Sequence, residues 1–150
     1  MTNLKRLREL NSELEEYETQ EIVKEQFYQA FLQSPIPIAL IALDGSWMHV
    51  NHRVPRMLGY RKQELLELTF QDVTHPEDLK LDLQFLELLF NKEIKTYSMH
   101  KRYQHKSGKI IHVKLTVTPV LDDDGKIAFY ISQILPLEEG QFKQGYSYYK

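Results

Sequence analysis

The stretch KIIHVKLTVTPV, residues 109–120, alternates apolar and polar side chains from Ile111 to Thr118. A repeat of two residues is that of a β-strand with one buried face and one face in water. The apolar set is Ile111, Val113, Leu115 and Val117, and the polar set is His112, Lys114, Thr116 and Thr118. We therefore predict a long antiparallel strand here, and the rest of the predicted fold is arranged around it.

Turn residues flank this strand on both sides, so it is predicted to be the middle of a three-stranded meander. Upstream, Ser107-Gly108 separates it from residues 96–105. In that segment Tyr97, Met99 and Tyr103 are separated by even numbers of residues and so share one face of a strand. Downstream, a turn at Asp122–Gly125 leads to a final strand, Ile127–Leu135. The last third of the chain is therefore predicted to be all β.

A second, shorter hairpin is predicted earlier in the chain. Residues Pro37–Leu43 and Trp47–Val50 are apolar runs joined by an Asp44-Gly45 turn. Two short helical segments follow it: Asn51–Leu58, for which Gly59 is a suitable C-terminal stop, and Arg61–Leu66.

A long helix is predicted between the two β regions, from Thr74 to Phe90. Thr74 is suited to be its N-cap, with Glu77 three residues on as in a capping box and Pro76 tolerated in the first turn. Two apolar stripes run along it: Leu81, Phe85, Leu88, Leu89 and Leu79, Leu83, Leu86, Phe90. The polar side would be Lys80, Asp82, Gln84, Glu87 and Asn91. We expect more than half of its circumference to be buried.

The chain begins with a helix predicted over Leu4–Gln33. Its first apolar stripe has the 3-4-3 spacing of a coiled-coil seam and consists of Leu7, Leu10, Leu14 and Tyr17. The seam is interrupted at Glu21, and a second stripe follows: Val23, Phe27, Ala30 and Phe31. Residues 1–25 are predicted to form a dimerisation helix. The alternative, a helix packed only on its own domain, stays open at this point.

Together these elements predict an α+β fold, a five-stranded antiparallel sheet with helices on one face. The chain resembles the PAS domain family in this order of elements and in short motifs over Gln26–Leu137. The motifs are Leu58-Gly59-Tyr60 with Glu64-Leu65, His75-Pro76-Glu77-Asp78, Lys106-Ser107-Gly108, and Pro119-Val120 with Asp124-Gly125-Lys126. The resemblance implies a PAS domain at 26–137.

PAS domains are sensing and interaction modules, so the resemblance implies a role in signal transduction with an effector domain or a partner signalling protein. Many members dimerise through a preceding helix, which fits the Leu7–Tyr17 seam and implies a homodimer. The family's last strand usually ends in an aspartate-x-threonine step, where this chain has Leu135-Pro136-Leu137. Residues 138–150 are accordingly predicted to be a tail or a linker fragment.

Many members bind a small molecule between the sheet and the long helix. The residues expected to line such a pocket are Phe85, Leu89, Tyr97, Val113, Leu115, Tyr130 and Ser132, with Tyr130 and Ser132 as the polar contacts. The competing interpretation is that the bulky aromatic side chains fill this space themselves. A receptor for a metabolite or a non-covalent flavin, regulating a kinase, a cyclic-dinucleotide enzyme or a transcription regulator, is the alternative function.

The resemblance allows us to ask whether the residues that bind the family's known cofactors are present in this chain. They leave the cofactor of this chain, if there is one, unknown. Members that form a covalent flavin adduct need a reactive cysteine, and this chain has none. Haem-binding members carry the iron ligand histidine inside the long helix, and Leu79–Phe90 contains no histidine.

Composition excludes several other classes. The formal net charge is −2 and the basic residues are mixed with acids, so nucleic acid is not an expected partner. No apolar run approaches the roughly 20 residues of a membrane span, and the cysteine-free chain is expected to be cytoplasmic. No nucleophile elbow, phosphate loop or zinc motif is present, so we expect neither a metal site nor an enzyme. An enzyme on a similar sheet would need a buried acid or base facing the pocket, and the predicted inward positions are nearly all apolar or aromatic.

Overall fold

The computed structural model describes residues 2–138 and 140–150, and the chain divides after Gln33 into two compact units. The first unit is helix α1, Asn3–Gln33. Ion pairs one turn apart, such as Lys24 Nζ with Glu21 Oε1 at 3.2 Å, lie on its polar sides. Most of its large apolar side chains are exposed, whereas Phe31 is buried; the exposed ones are Leu4, Leu7, Leu10, Leu14, Tyr17, Ile22, Val23, Phe27 and Tyr28.

In the described part of the second unit there are one antiparallel sheet and four helices. In chain order they are β1 (Ile38–Ile41), β2 (Trp47–Val50), α2 (Arg53–Leu58), α3 (Lys62–Leu65), α4 (Phe70–Val73), α5 (Pro76–Phe90), β3 (Thr96–Gln104), β4 (Ile110–Leu121), β5 (Ile127–Pro136) and β6 (Tyr146–Tyr149). The strand order is β2-β1-β5-β4-β3-β6. The predicted α+β fold is confirmed, and one further strand extends the sheet.

The two-residue repeat that predicted β4 determines which face of the sheet is buried. Val113, Leu115 and Val117 are buried, and across the ladder they pair with Lys101, Met99 and Tyr97 of β3. Every second residue of β3 from Tyr97 to Tyr103 is therefore on the same face. The helices contribute the other half of the core through Val54, Leu58, Leu65, Phe70, Val73, Phe85 and Leu89.

The start of α5 differs from the prediction by one residue. The N-cap is His75, whose Nδ1 accepts a hydrogen bond from the Glu77 amide at 3.1 Å. Thr74 is instead the C-cap of α4 and donates its hydroxyl to the carbonyl of Phe70, the first residue of that helix, at 2.7 Å. Helix α4, which the sequence analysis does not predict, ends at Val73, so the Thr74 hydroxyl bonds to a carbonyl of that helix and does not cap α5. The Thr74 side chain is buried.

Residues 138–150, predicted to be a tail or linker fragment, contain a strand. The segment returns along the sheet, where the Lys143 amide donates to His100 Nδ1 at 3.1 Å. Strand β6 then pairs antiparallel with β3, from Tyr146 opposite Met99 to Tyr149 opposite Thr96. The prediction of a five-stranded sheet missed this strand because four residues are too few to show a periodicity.

Gly59 ends α2 in the left-handed conformation, with φ of 78°. A Cβ atom added there would lie 2.2 Å from Cε1 of His105. That ring is held in place because its Nδ1 accepts the Ser107 amide at 3.1 Å. The Lys106 amide also donates to the Leu58 carbonyl at 2.9 Å, so helix α2 and the β3–β4 hairpin are in close contact here.

We predict that Gly59→Ala destabilises the protein by about 2–4 kcal/mol, measured by urea unfolding. About 1–2 kcal/mol comes from the left-handed backbone, and the remainder from the overlap with His105. Gly125→Ala is the matched control, since Gly125 has φ of 79° but no atom within 4 Å of an added Cβ. Equal losses for the two variants would show that the contact with His105 contributes nothing.

Candidate functional site

The first turn of α5 is fixed to β3 by one arginine. The Arg102 guanidinium donates to Asp78 through Nε at 3.1 Å and Nη2 at 2.9 Å, and the Arg102 amide donates to the same carboxylate at 2.7 Å. Burial works to raise the pKa of Asp78, but these hydrogen bonds outweigh it and leave the pKa below its usual value. The His75 amide donates to the Arg102 carbonyl at 2.9 Å, which completes the junction. Helix α5 therefore has a defined starting point on the sheet.

One turn further along, α5 places a carboxylate inside the core. The side chain of Asp82 is 1 % exposed and forms an ion pair with Lys101 Nζ at 2.5 Å. Its second oxygen accepts the Tyr97 hydroxyl at 2.5 Å. Both donors come from β3, so this carboxylate joins helix α5 to that strand.

The ammonium group of Lys101 is enclosed on all sides, and its side chain is 0 % exposed. Besides Asp82 it donates to the Thr74 hydroxyl at 2.9 Å. It also lies 4.4 Å from the ring centroid of Tyr103 and 5.2 Å from that of Phe70, both within the range of cation–π attraction. Its charge is thus met by a carboxylate, a hydroxyl and two aromatic rings.

The environment keeps these groups in the protonation states that the hydrogen bonds require. Burial pushes the pKa of Lys101 down, but the nearby Asp82 carboxylate and Tyr103 push it further up, so it lies above its usual value. Burial, followed by the Asp82 charge, raises the pKa of the Tyr97 hydroxyl well above its usual value. At neutral pH the lysine is therefore a cation and the tyrosine a hydrogen-bond donor.

A cavity of about 10 Å³ lies beside this ion pair. This is about the volume that one water molecule requires. Its polar walls are the side chains of Asp82, Tyr97, Lys101, Tyr103, Tyr130 and Ser132, and its apolar walls include Ile41, Phe70 and Leu115. The space between the sheet and α5 is therefore small, and the surface that faces it is almost entirely apolar, because the charged groups are turned toward one another.

The residues predicted to line a pocket are all buried, but they do not all meet. Tyr97, Leu115, Tyr130 and Ser132 surround the cavity. The ring of Phe85 stacks on Tyr97 with centroids 4.9 Å apart, on the side of β6 where it also meets Tyr146 and Tyr148. Leu89 and Val113 belong to the surrounding apolar core.

The two buried charged residues of the site are absent from the predicted lining for the same reason. Asp82 was assigned to the polar side of the long helix, but it precedes Phe85, Leu86 and Leu89 by three, four and seven residues, which is the spacing of one helical face. Lys101 lies midway between Met99 and Tyr103 in a strand with a two-residue repeat. At both positions the spacing of the neighbouring apolar residues predicts a buried side chain, whereas the charge of the residue itself favours an exposed one. The expectation that the inward positions are nearly all apolar is therefore wrong at these two residues.

The histidines of the β3–β4 hairpin lie in two different environments. His100 and His112 pack against Phe142, with ring centroids 5.9 and 4.5 Å apart, whereas His105 lies against the Gly59 turn. Within residues 2–138 and 140–150 no three histidine, aspartate or glutamate side chains are grouped as metal ligands. In the same ranges, no helix combines the length and the apolar character required to cross a bilayer.

Comparison with known proteins places this geometry in a family. A family model described as the PAS fold matches residues 47–134. The PAS domain of an HTR-like protein from Haloarcula marismortui has a TM-score of 0.65 at 17 % identity, covering 82 % of this chain and 98 % of that one. A PAS domain from Colwellia psychrerythraea has a TM-score of 0.69 at 16 % identity, covering 77 % and 97 %. At these identities the likeness concerns the fold.

One curated relative is closer in sequence. The probable diguanylate cyclase DgcE of Escherichia coli (strain K12) is 42 % identical over 113 residues, which cover 75 % of this chain. The matched region is 10 % of the relative's length. The similarity therefore concerns one small part of that larger protein.

We predict that Lys101→Met lowers the free energy of unfolding by about 3–5 kcal/mol, because it leaves the Asp82 carboxylate buried without its cation. The double variant Lys101→Met with Asp82→Leu should lose less than this, since neither charge remains. Lys106→Met is the control, because the Lys106–Glu64 pair is partly exposed and should contribute much less than the buried pair. Urea denaturation measures all three, and equal losses for Lys101→Met and Lys106→Met would contradict the assigned role of the buried pair.

Proposed function

Because the chain belongs to the PAS fold family, we propose that this PAS sensor domain is a signalling module that dimerises through helix α1 and transmits a change of state to an effector. The proposal has three parts: the dimer, the effector, and the absence of catalysis by the domain itself. The predicted cytoplasmic location stays a prediction.

The observation that supports the dimer is the apolar seam of α1. Leu7, Leu10, Leu14 and Tyr17 are between 42 and 59 % exposed, although they follow the spacing of a coiled-coil stripe. Fully burying a leucine contributes about 1.5–3 kcal/mol, so pairing this seam with a second copy offers a substantial gain. The assignment of residues 1–25 to dimerisation rests on this stripe, which precedes the interruption at Glu21.

The effector is proposed to be an enzyme that handles a cyclic dinucleotide. Three output classes are compatible with a PAS domain: a kinase, a cyclic-dinucleotide enzyme and a transcription regulator. The relative that is 42 % identical carries the name of a probable diguanylate cyclase, and this favours the second class. Since the match spans only 10 % of that relative, the effector would lie on other parts of a protein of this kind or on a partner.

The domain itself is proposed to be non-catalytic, although its core does contain an acid and a base. Asp82 and Lys101 neutralise each other, and the side chains of both are at most 1 % exposed. The cavity beside them, about 10 Å³, has room for a water molecule but not for a substrate. A general acid or base must reach the proton it transfers, which neither group does in this arrangement.

A second candidate, a small-molecule receptor, is favoured by the hydroxyl groups around the cavity. Tyr130 and Ser132 line it beside the ion pair, so their hydroxyl groups could orient a ligand among otherwise apolar walls. Helix α5 would have to move away from the sheet to admit such a ligand. A flavin would need a much larger displacement than a small metabolite.

We predict that Leu10→Glu with Leu14→Glu converts a dimer to a monomer, because charged groups would enter the apolar seam. Light scattering coupled to size-exclusion chromatography measures the mass. Ser12→Glu with Thr19→Glu adds the same charge on the opposite side of the helix and should leave the dimer intact. A monomeric wild-type protein, or an unchanged mass for the seam variant, would contradict dimerisation through α1.

A test of the receptor function is whether the purified protein carries a bound molecule. We predict that it carries none, so it should be colourless and have its bare mass in a native mass spectrum, because the closed cavity admits about one water. A bound molecule seen as added mass, and lost in the cavity-filling variant Ser132→Leu, would contradict the closed core. That result would make the receptor the better description of the domain.

A further inference from the structure

A cleft of about 790 Å³ lies on the outside of the domain, away from the core cavity. One wall is helix α2, another is the start of β4, and the remaining sides are the segment before β1 and the end of β5. Its volume is within the range of about 300–1,000 Å³ that is common for small-molecule sites.

Three basic side chains line this cleft: Arg53 and Arg56 of α2 and Lys109 before β4. No aspartate or glutamate is among the lining residues. Within residues 2–138 and 140–150, none of the three has an ion-pair partner, whereas Arg61, Arg102 and Lys106 of the same domain all do. In a chain whose net charge is −2, this concentration of unneutralised positive charge favours an anion.

The floor between these charges is apolar. It is formed by Pro37, Met57, Ile110, Ile111, Pro136 and Leu137. An inorganic anion would be hydrated better in bulk water than beside such a surface. An anion with an apolar body would bury that body on the floor and direct its charge to the arginines.

The walls of the cleft are held in place by partly buried hydrogen bonds. Asn51, which is 1 % exposed, donates through Nδ2 to the Ile36 carbonyl at 2.9 Å and accepts the Ile38 and Arg53 amides at 3.2 Å each. This one side chain thus connects the segment before β1 to the first turn of α2. On the other side the Leu137 amide donates to the His112 carbonyl at 2.9 Å. The cleft therefore exists before any ligand arrives, which lowers the entropic cost of binding.

We propose that this cleft is a binding site for a small amphipathic organic anion, one with an apolar body and a phosphate or carboxylate group. Arg53 and Arg56 contact the charged group, and Met57 and Ile110 contact the apolar body. The site lies outside the core and uses no residue of the α1 seam. It also shares no lining residue with the core cavity.

The test uses 1-naphthyl phosphate as the probe, titrated into the full chain by isothermal titration calorimetry. Inorganic phosphate and 1-naphthol are the controls for charge alone and for the apolar body alone. The variant Arg53→Gln with Arg56→Gln should weaken binding of the probe by at least about tenfold. Lys62→Gln with Lys80→Gln removes the same charge from exposed positions outside the cleft and should change the affinity by less than about twofold.

Methyl NMR locates the bound probe and separates the cleft from the core. The Met57 methyl signal should shift on titration, while that of Met99, which is buried in the core, should not. The proposal is overturned if the probe does not bind, if both double variants bind it equally, or if inorganic phosphate binds as tightly. A shift of Met99 without a shift of Met57 would also overturn it, because the probe would then be in the core.

Discussion

The buried ion pair between Asp82 and Lys101 is the interaction on which the arrangement of this domain depends. It lies where α5 crosses β3, and the Tyr97 and Thr74 hydroxyls complete its hydrogen bonds. Removing two charges from water costs several kcal/mol each, which is recovered only in a geometry with every partner present. The helix therefore has one favourable position on the sheet, and small displacements are costly.

This pair also determines which parts of the molecule are available for function. The interior is occupied by a polar network around a space of about 10 Å³. The surfaces proposed to take part in recognition lie elsewhere: the seam on α1 and the basic cleft between α2 and β4. Helix α5 itself is held to β3 at two points, Asp78–Arg102 and Asp82–Lys101.

Sequence periodicity was sufficient for most of the fold, and it failed where polarity and position disagree. The alternation of residues 109–120 located β4 and its buried face, and Gly59 located the end of α2. Asp82 and Lys101 are spaced from their apolar neighbours as buried residues are. A charged residue is stable in a core, however, only when an oppositely charged partner on another element lies beside it. Since that pairing joins residues 19 apart across two elements, no local pattern predicts it.

Two other differences between the predicted and the observed structure also arise from contacts with residues outside the segment concerned. Thr74 is a good N-cap in isolation, yet its hydroxyl is engaged by the Phe70 carbonyl, so His75 takes that position. Strand β6 exists because β3 has an edge on which Tyr146–Tyr149 can pair, and the sequence of the tail alone contains no sign of that edge. The pocket residues illustrate the converse: all seven are buried as expected, but only four surround the cavity.

The most direct test of the central claim is the ¹⁵N NMR signal of the Lys101 side chain at neutral pH. A charged ammonium that is sealed in the core and donates to a carboxylate exchanges its protons slowly with water, so its N–H correlation should be observable and assignable to Lys101 Nζ by its loss in Lys101→Met. Exposed lysines exchange too fast to give such a signal. A Lys101 ammonium that exchanges as fast as those of exposed lysines, or a chemical shift typical of a neutral amine, would contradict the buried ion pair.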